Sequence, residues 1–382
     1  MDYQSIILIS GVLLLLTLAT TGVEVLRRHR DFGIDTAILD TCRSRIRGWW
    51  LLFGALTCAL LVGTVATVFL FGLISFWALR EYITLTPTRP ADHRTLVWVF
   101  FLCTPLQFIL VGINDNWFRS VFGIGAYSVY SVLIPAYAFL ILPASIAVSG
   151  DSKRFLERIA KIQVGLLICV YSLSFAPALL TTHLPGDPPA PVVSEVLAGG
   201  LEDRALAPLE QAVMTPSAEA ADSTVSSLPD ERPAEMPRKP MSGNNLSLLF
   251  VFVLLVQLTD IFQYLWSQVL PQTPVAPSIN SNKTWEGVFM GAFTTALVAV
   301  GLWYFTPFDK WWQPAICGFI ISLMGFAGSI TMSAIKRDRG VEDYGNLIEG
   351  HNGVLDRIDS LCFAAPVFYH LVWIFVNLEL IL

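Results

Sequence analysis

The sequence predicts an all-α, multi-pass integral membrane protein of about ten transmembrane helices, and three observations predict it. Of its 382 residues, 54% are hydrophobic and only 14% are charged, whereas charged residues approach a quarter of an ordinary soluble domain. Its mean hydropathy is +0.61. Apolar runs of the ~20 residues needed to cross ~30 Å of hydrocarbon recur along the whole chain. Soluble enzyme folds are excluded. The six cysteines are scattered with no CxxC pair, and all but Cys42 lie inside apolar runs, which argues against a zinc site or a disulfide framework.

The first span is read at 5–25. Its arginines (Arg27, Arg28, Arg30) follow the apolar stretch instead of preceding it, so a retained first span with its N-terminus outside is expected, not a cleaved signal peptide. Residues 49–85 are too long for one span, and the split is placed near Gly63 to Ala66, the second helix ending at Arg80-Glu81. Further spans are read at 95–113, 120–148, 162–183, 246–270, 286–305, 312–335 and 359–382. The split is supported by the positive-inside rule. Basic clusters follow span one (Arg27 to Arg47), and others lie at Arg89 and Arg94, at 149–161 (Lys153, Arg154, Arg158, Lys161), and at 336–358 (Lys336, Arg337, Arg339, Arg357). Ten spans put all four on the cytoplasmic side of a plasma (inner) membrane. A single span over 49–85 does not.

Residues 184–245 are of another composition, with 10 of the 22 prolines, many Ala and Ser and no apolar period, and they read as a disordered extracytoplasmic linker. The linker divides an N-terminal bundle (1–183, about six spans) from a C-terminal catalytic bundle (246–382, about four spans). It holds ten acidic residues against four basic ones, so the chain's net charge of −6 belongs wholly to it. That charge therefore says nothing against an anionic substrate. No internal repeat supports an inverted-repeat transporter. No nucleic-acid partner is expected; the bilayer itself is.

Chemistry concentrates in the C-terminal bundle. Asp260 lies mid-span in LLVQLTDIFQY, flanked by Gln257, Gln263 and Tyr264; an intramembrane carboxylate costs ~2.5 kcal/mol or more and needs a partner, a cavity or a metal. Residues 278–287 (SINSNKTWEG) read as a helix start with Asn282 or Thr284 capping, and Gly287 opens a GxxxG with Gly291. Residues 336–359 carry ten charged side chains and His351. Retention on the cytoplasmic side needs only Lys and Arg, whereas here carboxylates are interleaved. Asp356 and Asp359, three apart at the start of the last helix, would share a face and hold a hard cation through oxygen. Lys336, Arg337 and Arg357 would neutralise phosphate. All three segments approach the cytoplasmic face, a place suited to a reaction between a water-soluble phosphate donor and a lipid.

Ser333-Ala334-Ile335-Lys336-Arg337, then Asp343, Gly350-His351-Asn352-Gly353 and Asp356-Arg357-Ile358-Asp359, resembles the signature of the phosphatidate cytidylyltransferases, the CDP-diacylglycerol synthases. Residues 280–287, with Asn282, Lys283, Thr284 and Glu286, are similar to a second element of that family, and Asp260 with Tyr264 to a third. The resemblance covers about 255–365. It implies transfer of CMP from CTP to phosphatidate with Mg²⁺, a second cation being left open. It places Asp343, Asp356, Asp359 and Asp260 as metal ligands. Lys336, Arg337 and His351 would join Asp343, Asp356 and Asp359 in catalysis, while Asn282, Lys283, Thr284, Glu286, Ser333, Arg357, Asp260 and Tyr264 would bind substrate. The sequence departs from the pattern at Gln263, where the family has Ala, at Glu342, where it has Lys, and at Glu349, Asn352 and Asn280-Ser281. Two rivals stand beside the main reading: a related enzyme acting on another lipid phosphate, and a membrane transport or regulatory homologue with a weak site. A homodimer is left open.

Overall fold

The computed structural model describes residues 3–28, 36–85, 89–148, 150–181, 245–270, 273–341 and 353–381. It is a bundle of membrane-length helices: α1 Tyr3–Arg28, α2 Thr36–Val62, α3 Thr64–Thr84, α4 His93–Gly112, a short α5 Asp115–Phe122, α6 Ala126–Val148, α7 Phe155–Thr181, α8 Asn245–Val269, α9 Trp285–Gly301, α10 Trp312–Arg339 and α11 Leu355–Ile381. Eight of these are long and apolar enough to cross a bilayer, and two shorter apolar helices, Ile46–Val62 and Trp285–Gly301, complete the ten. The only sheet among the described residues is a two-stranded antiparallel hairpin, β1 Pro274–Ala276 with β2 Asn280–Thr284. The expected linker, 184–245, lies almost wholly outside the described residues. Met1–Leu184 and Gly243–Leu382, the chain on either side of it, form one compact unit.

The long apolar stretch breaks where glycine allows it. Gly63 precedes α3 with φ 131° and ψ −177°, a backbone that a side chain would strain, so α2 stops and α3 starts afresh. Other boundaries differ from the sequence reading. Gly123 ends α5 in the left-handed region (φ 73°), so the span read from 120 begins at Ala126. α7 begins at Phe155 and α2 at Thr36, which places Arg158, Lys161, Arg43 and Arg47 in helical turns and not in loops. Their backbone N–H groups must be satisfied at a membrane boundary, and continuing the helix does so. α4 and α6 widen into π-helical turns at Val99–Cys103 and Leu133–Ala138, beside Pro105 and Pro135, where the missing proline N–H disturbs the regular ladder.

Between helices already surrounded by hydrocarbon, apolar burial drives little association, and close packing and hydrogen bonds take over. Phe252 stacks on Phe368 at 4.9 Å, Phe53 meets Phe250 at 5.4 Å and Phe175 meets Tyr369 at 5.3 Å, so rings from α2 and α7 interleave with α8 and α11. The Thr259 and Thr295 hydroxyls lie 3.1 Å apart across α8 and α9. Each such bond contributes about 0.6 kcal/mol in a membrane. A Cβ at Gly328 would come within 2.6 Å of the Asp359 carbonyl oxygen, so α10 presses its backbone against the first turns of α11. That contact brings the charged ends of the two helices together.

Candidate active site

The hairpin decides where Lys283 goes. Trp285 N donates to Thr273 O (3.1 Å), and Glu286 accepts from the Thr273 backbone N–H (3.3 Å) and hydroxyl, which folds 273–284 back over the start of α9. Thr284 caps α9, its hydroxyl accepting from Gly287 N at 3.1 Å. Asn282 is not a cap; it is exposed, and its backbone N–H donates to Asn280 Oδ1. The Lys283 ammonium turns inward, donating to Gln263 Oε1 at 3.1 Å and standing 3.9 Å from Asp260 Oδ1.

Asp260 meets α11. The Ser360 hydroxyl donates to it, 3.2 Å from both of its carboxylate oxygens, and lies 3.3 Å from Asp359 Oδ1, which also accepts from Ser360 N at 2.6 Å. Ser360 thus stands between two carboxylates from different helices. About one turn earlier on α11, ~4.5 Å along the axis, Asp356 takes Lys336 Nζ from the end of α10 at 2.7 Å. Asp356 and Asp359, expected to share a face, take different partners, Asp356 the Lys336 ammonium of α10 and Asp359 the Ser360 group beside Asp260 of α8. Five ionisable groups thus fall in two neighbouring sets, Lys336 with Asp356 and, about a turn further along α11, Asp359 with Asp260 and Lys283.

The remaining sequence candidates are placed less uniformly. Ser333 donates to Ser329 O (2.8 Å) and lies 3.5 Å from Asn280 Nδ2, beside the hairpin. Arg337 is exposed, its Nε donating to Ile279 O at 3.4 Å. Tyr264 is 41% exposed at the surface of α8. The Arg357 guanidinium lies against the backbone of Gly48 on α2, where any Cβ would collide with it. Asp343 and His351, together with Glu342, Glu349 and Asn352, lie outside the described residues.

Glu81 is the residue that sequence reasoning missed. Its carboxylate, 4% exposed at the end of α3, accepts from Val354 N at 3.0 Å and Leu355 N at 2.8 Å. A side chain 273 positions earlier therefore satisfies the first N–H groups of α11 and places a negative charge at its N-terminus, the favourable end of the dipole. The sign in the sequence was a carboxylate in the last turn of an otherwise apolar span, of the same kind that drew attention to Asp260.

Asp260, Asp359 and Ser360 offer only oxygen. The described residues contain no group of three or more His, Cys, Asp or Glu able to hold a metal. An Mg²⁺ ion, which keeps several waters and is commonly held by one or two carboxylates with substrate phosphates, fits such a pair.

A membrane bundle that gathers carboxylates and ammonium groups at one end of its last four helices defines a class of integral-membrane protein suited to phosphate chemistry. Residues 43–375 match the cytidylyltransferase family, and the chain belongs to it. It is 30% identical over 332 residues to an uncharacterized protein, YnbB, of Escherichia coli (strain K12), covering 86% of each chain. It is also similar to a phosphatidate cytidylyltransferase of Staphylococcus aureus (strain COL), 37% identical over 121 residues, which are 31% of this chain and 46% of that enzyme. A phosphatidate cytidylyltransferase of Synechocystis is 40% identical over 118 residues, 30% of this chain and 39% of that enzyme. The chain thus matches less than half the length of these two enzymes.

Proposed function

We propose that the protein is a phosphatidate cytidylyltransferase, transferring CMP from CTP to phosphatidate to give CDP-diacylglycerol and pyrophosphate. The observation that carries this is the two neighbouring sets, Lys336–Asp356 and Asp359–Ser360–Asp260–Lys283, assembled at the ends of membrane helices. The names of the partial relatives support the choice of lipid. A phosphatidate oxygen attacks the α-phosphorus of CTP in line, the new P–O bond forms as the bond to the β-phosphate oxygen breaks, and pyrophosphate leaves. The attacking phosphate is already ionised, so no general base is required.

Lys283 and Lys336 bind and neutralise phosphate oxygens, where charge builds on the leaving pyrophosphate. Asp260 and Asp359, held apart by Ser360, are the residues that would hold Mg²⁺, with Asp343 as a further ligand. Bound there, Mg²⁺ supplies charge neutralisation and orientation of the nucleotide phosphates. Ser333, Arg337 and the hairpin border the same mouth. The active site faces the cytoplasm on this reading. Support comes from the basic residues at Arg89 and Arg94, at 149–161 and at 336–358, which the ten-span reading puts on one side of the membrane.

The test is incubation of the purified protein with labelled CTP, phosphatidate and Mg²⁺. CDP-diacylglycerol forms, and formation is lost in Asp359→Asn. A panel of other lipid phosphates examines the nearest rival. A folded sample that turns over none of them sinks the enzyme reading and favours the regulatory or transport homologue.

A further inference from the structure

Gln263 sits at the crossing of three helices and is 2% exposed. Its amide nitrogen donates to Ser322 O at 3.1 Å and lies 3.2 Å from Ser322 Oγ on α10. From the other side α9 closes on it, for a Cβ at Gly291 would come within 2.7 Å of Gln263 Cγ, and one at Gly287 within 2.8 Å of Gln263 O. These contacts confine the side chain between α9 and α10. There the amide oxygen points at the hairpin and accepts from Lys283 Nζ at 3.1 Å.

A lysine on a short hairpin has considerable rotamer freedom, and an ammonium aimed at a ligand works best when that freedom has been removed beforehand. We infer that Gln263 is a positioning residue that holds the Lys283 ammonium beside the Asp260–Ser360–Asp359 cluster to receive a nucleotide phosphate. The inference rests on the nucleotidyltransferase reading of the site. The amide suits the task because it is a neutral acceptor. A carboxylate in its place would form an ion pair and cancel the charge that the phosphate needs, whereas the amide takes one of three ammonium donors and leaves the charge intact. The adjoining Asp260 carboxylate, ion-paired at 3.9 Å, is beyond hydrogen-bond range, so the direct hydrogen bond to the ammonium comes from the amide.

The decisive measurement is a double-mutant cycle in the full-length protein. Gln263→Met preserves side-chain volume and removes the hydrogen bonds; kcat/KM for CTP is expected to fall about tenfold, the scale of one hydrogen bond to a charged group. Lys283→Met falls at least as far, and the double variant is no worse than Lys283→Met alone, because Gln263 acts through the lysine. Losses that multiply in the double variant overturn the inference, as does an unchanged kcat/KM in Gln263→Met. A second readout needs no turnover: acylation of Lys283 by an amine-reactive ester, followed by mass spectrometry. Labelling is faster in Gln263→Met and, by a smaller factor, in Ser322→Ala, which loosens the amide from behind without touching it. Unchanged labelling in both variants overturns the inference. If wild-type protein fails to use CTP, the functional reading falls, while the labelling rates still decide whether Gln263 holds Lys283.

Discussion

Each half of the bundle has a closed ion pair, Arg158–Asp92 and Lys336–Asp356, but the C-terminal half sets beside it a half-open pair that stops short of a hydrogen bond, Lys283–Asp260. In the N-terminal half, Arg158 and Asp92 form a pair whose side chains are 6% and 2% exposed; Arg158 Nε lies 2.9 and 3.1 Å from the two Asp92 carboxylate oxygens, and the guanidinium also reaches Asp151 O. Arg89 ties into the same knot through Asp151 at 3.1 Å and, by its backbone N–H, through Asp92. Arg158 and Asp92 are matched and sealed, while Arg89 and Asp151 form the knot's open rim, 39% and 27% exposed. In the C-terminal half, Asp260 is 34% and Lys283 18% exposed at the side chain, and they stand 3.9 Å apart. A closed pair fixes loops, while charges left half-open beside one another retain capacity for a ligand. The difference separates scaffold from site more sharply than the number of charges does.

The largest effect that would break this comparison is expected inside the site. Asp359→Asn is expected to lower kcat by ~10²–10³ or more, the scale of removing one transition-state electrostatic contact, with an unchanged thermal midpoint. A comparable loss from Arg158→Met in folded protein would instead put the N-terminal knot in the chemistry.

Glu81 is the exception that joins the halves. Glu81→Ala leaves two N–H groups at the start of α11 without their acceptor, a cost of about 1–3 kcal/mol each. Turnover of CTP is expected to drop about tenfold or more, with Glu81→Gln, which keeps one acceptor, falling between. Steady-state assays decide it; wild-type turnover in Glu81→Ala would show that α11 is placed by its own packing alone.

Arg158→Met is expected to do the reverse of Asp359→Asn. It strands a buried carboxylate, costing about 3 kcal/mol of stability, and should lower the thermal midpoint in detergent while kcat per folded molecule stays within about twofold.

The smallest effect concerns pH. The Lys153 backbone N–H first, and then Arg89, hold the Asp151 carboxyl below its ordinary range. A folded-state pKa below the unfolded one adds stability that is present above the ordinary aspartate value of ~3.9 and is lost as pH falls through the lowered value. The midpoint difference between wild type and Asp151→Asn should therefore be small at neutral pH and shrink on acidification. A difference that grew toward acid would reverse the assigned sign.

Much of the molecule was legible one residue at a time. Twenty-residue apolar runs imply helices wherever they occur, because lipid offers backbone groups no other partner. The break near Gly63 followed from length and the positive-inside rule. Asp260, Lys336 and Asp356 were visible because a charge in or beside a span is costly without a use. What was hidden depends on pairings far apart in sequence. Glu81 reads as a helix end until Leu355 is beside it, and nothing local to Arg357 shows that its guanidinium also lies against Gly48 of α2. Gln263 looks like a departure from the family pattern until Lys283 reaches it.

By itself, then, the sequence determined the environment, the all-helical multi-pass class and the groups too expensive to bury idly, since each follows from the transfer cost of a local stretch of chain. Only the tertiary structure decided which of those groups face one another. Partner choice depends on close approaches such as Gly328 on Asp359 and Gly291 on Gln263, where packing between helices distant in sequence sets the distances.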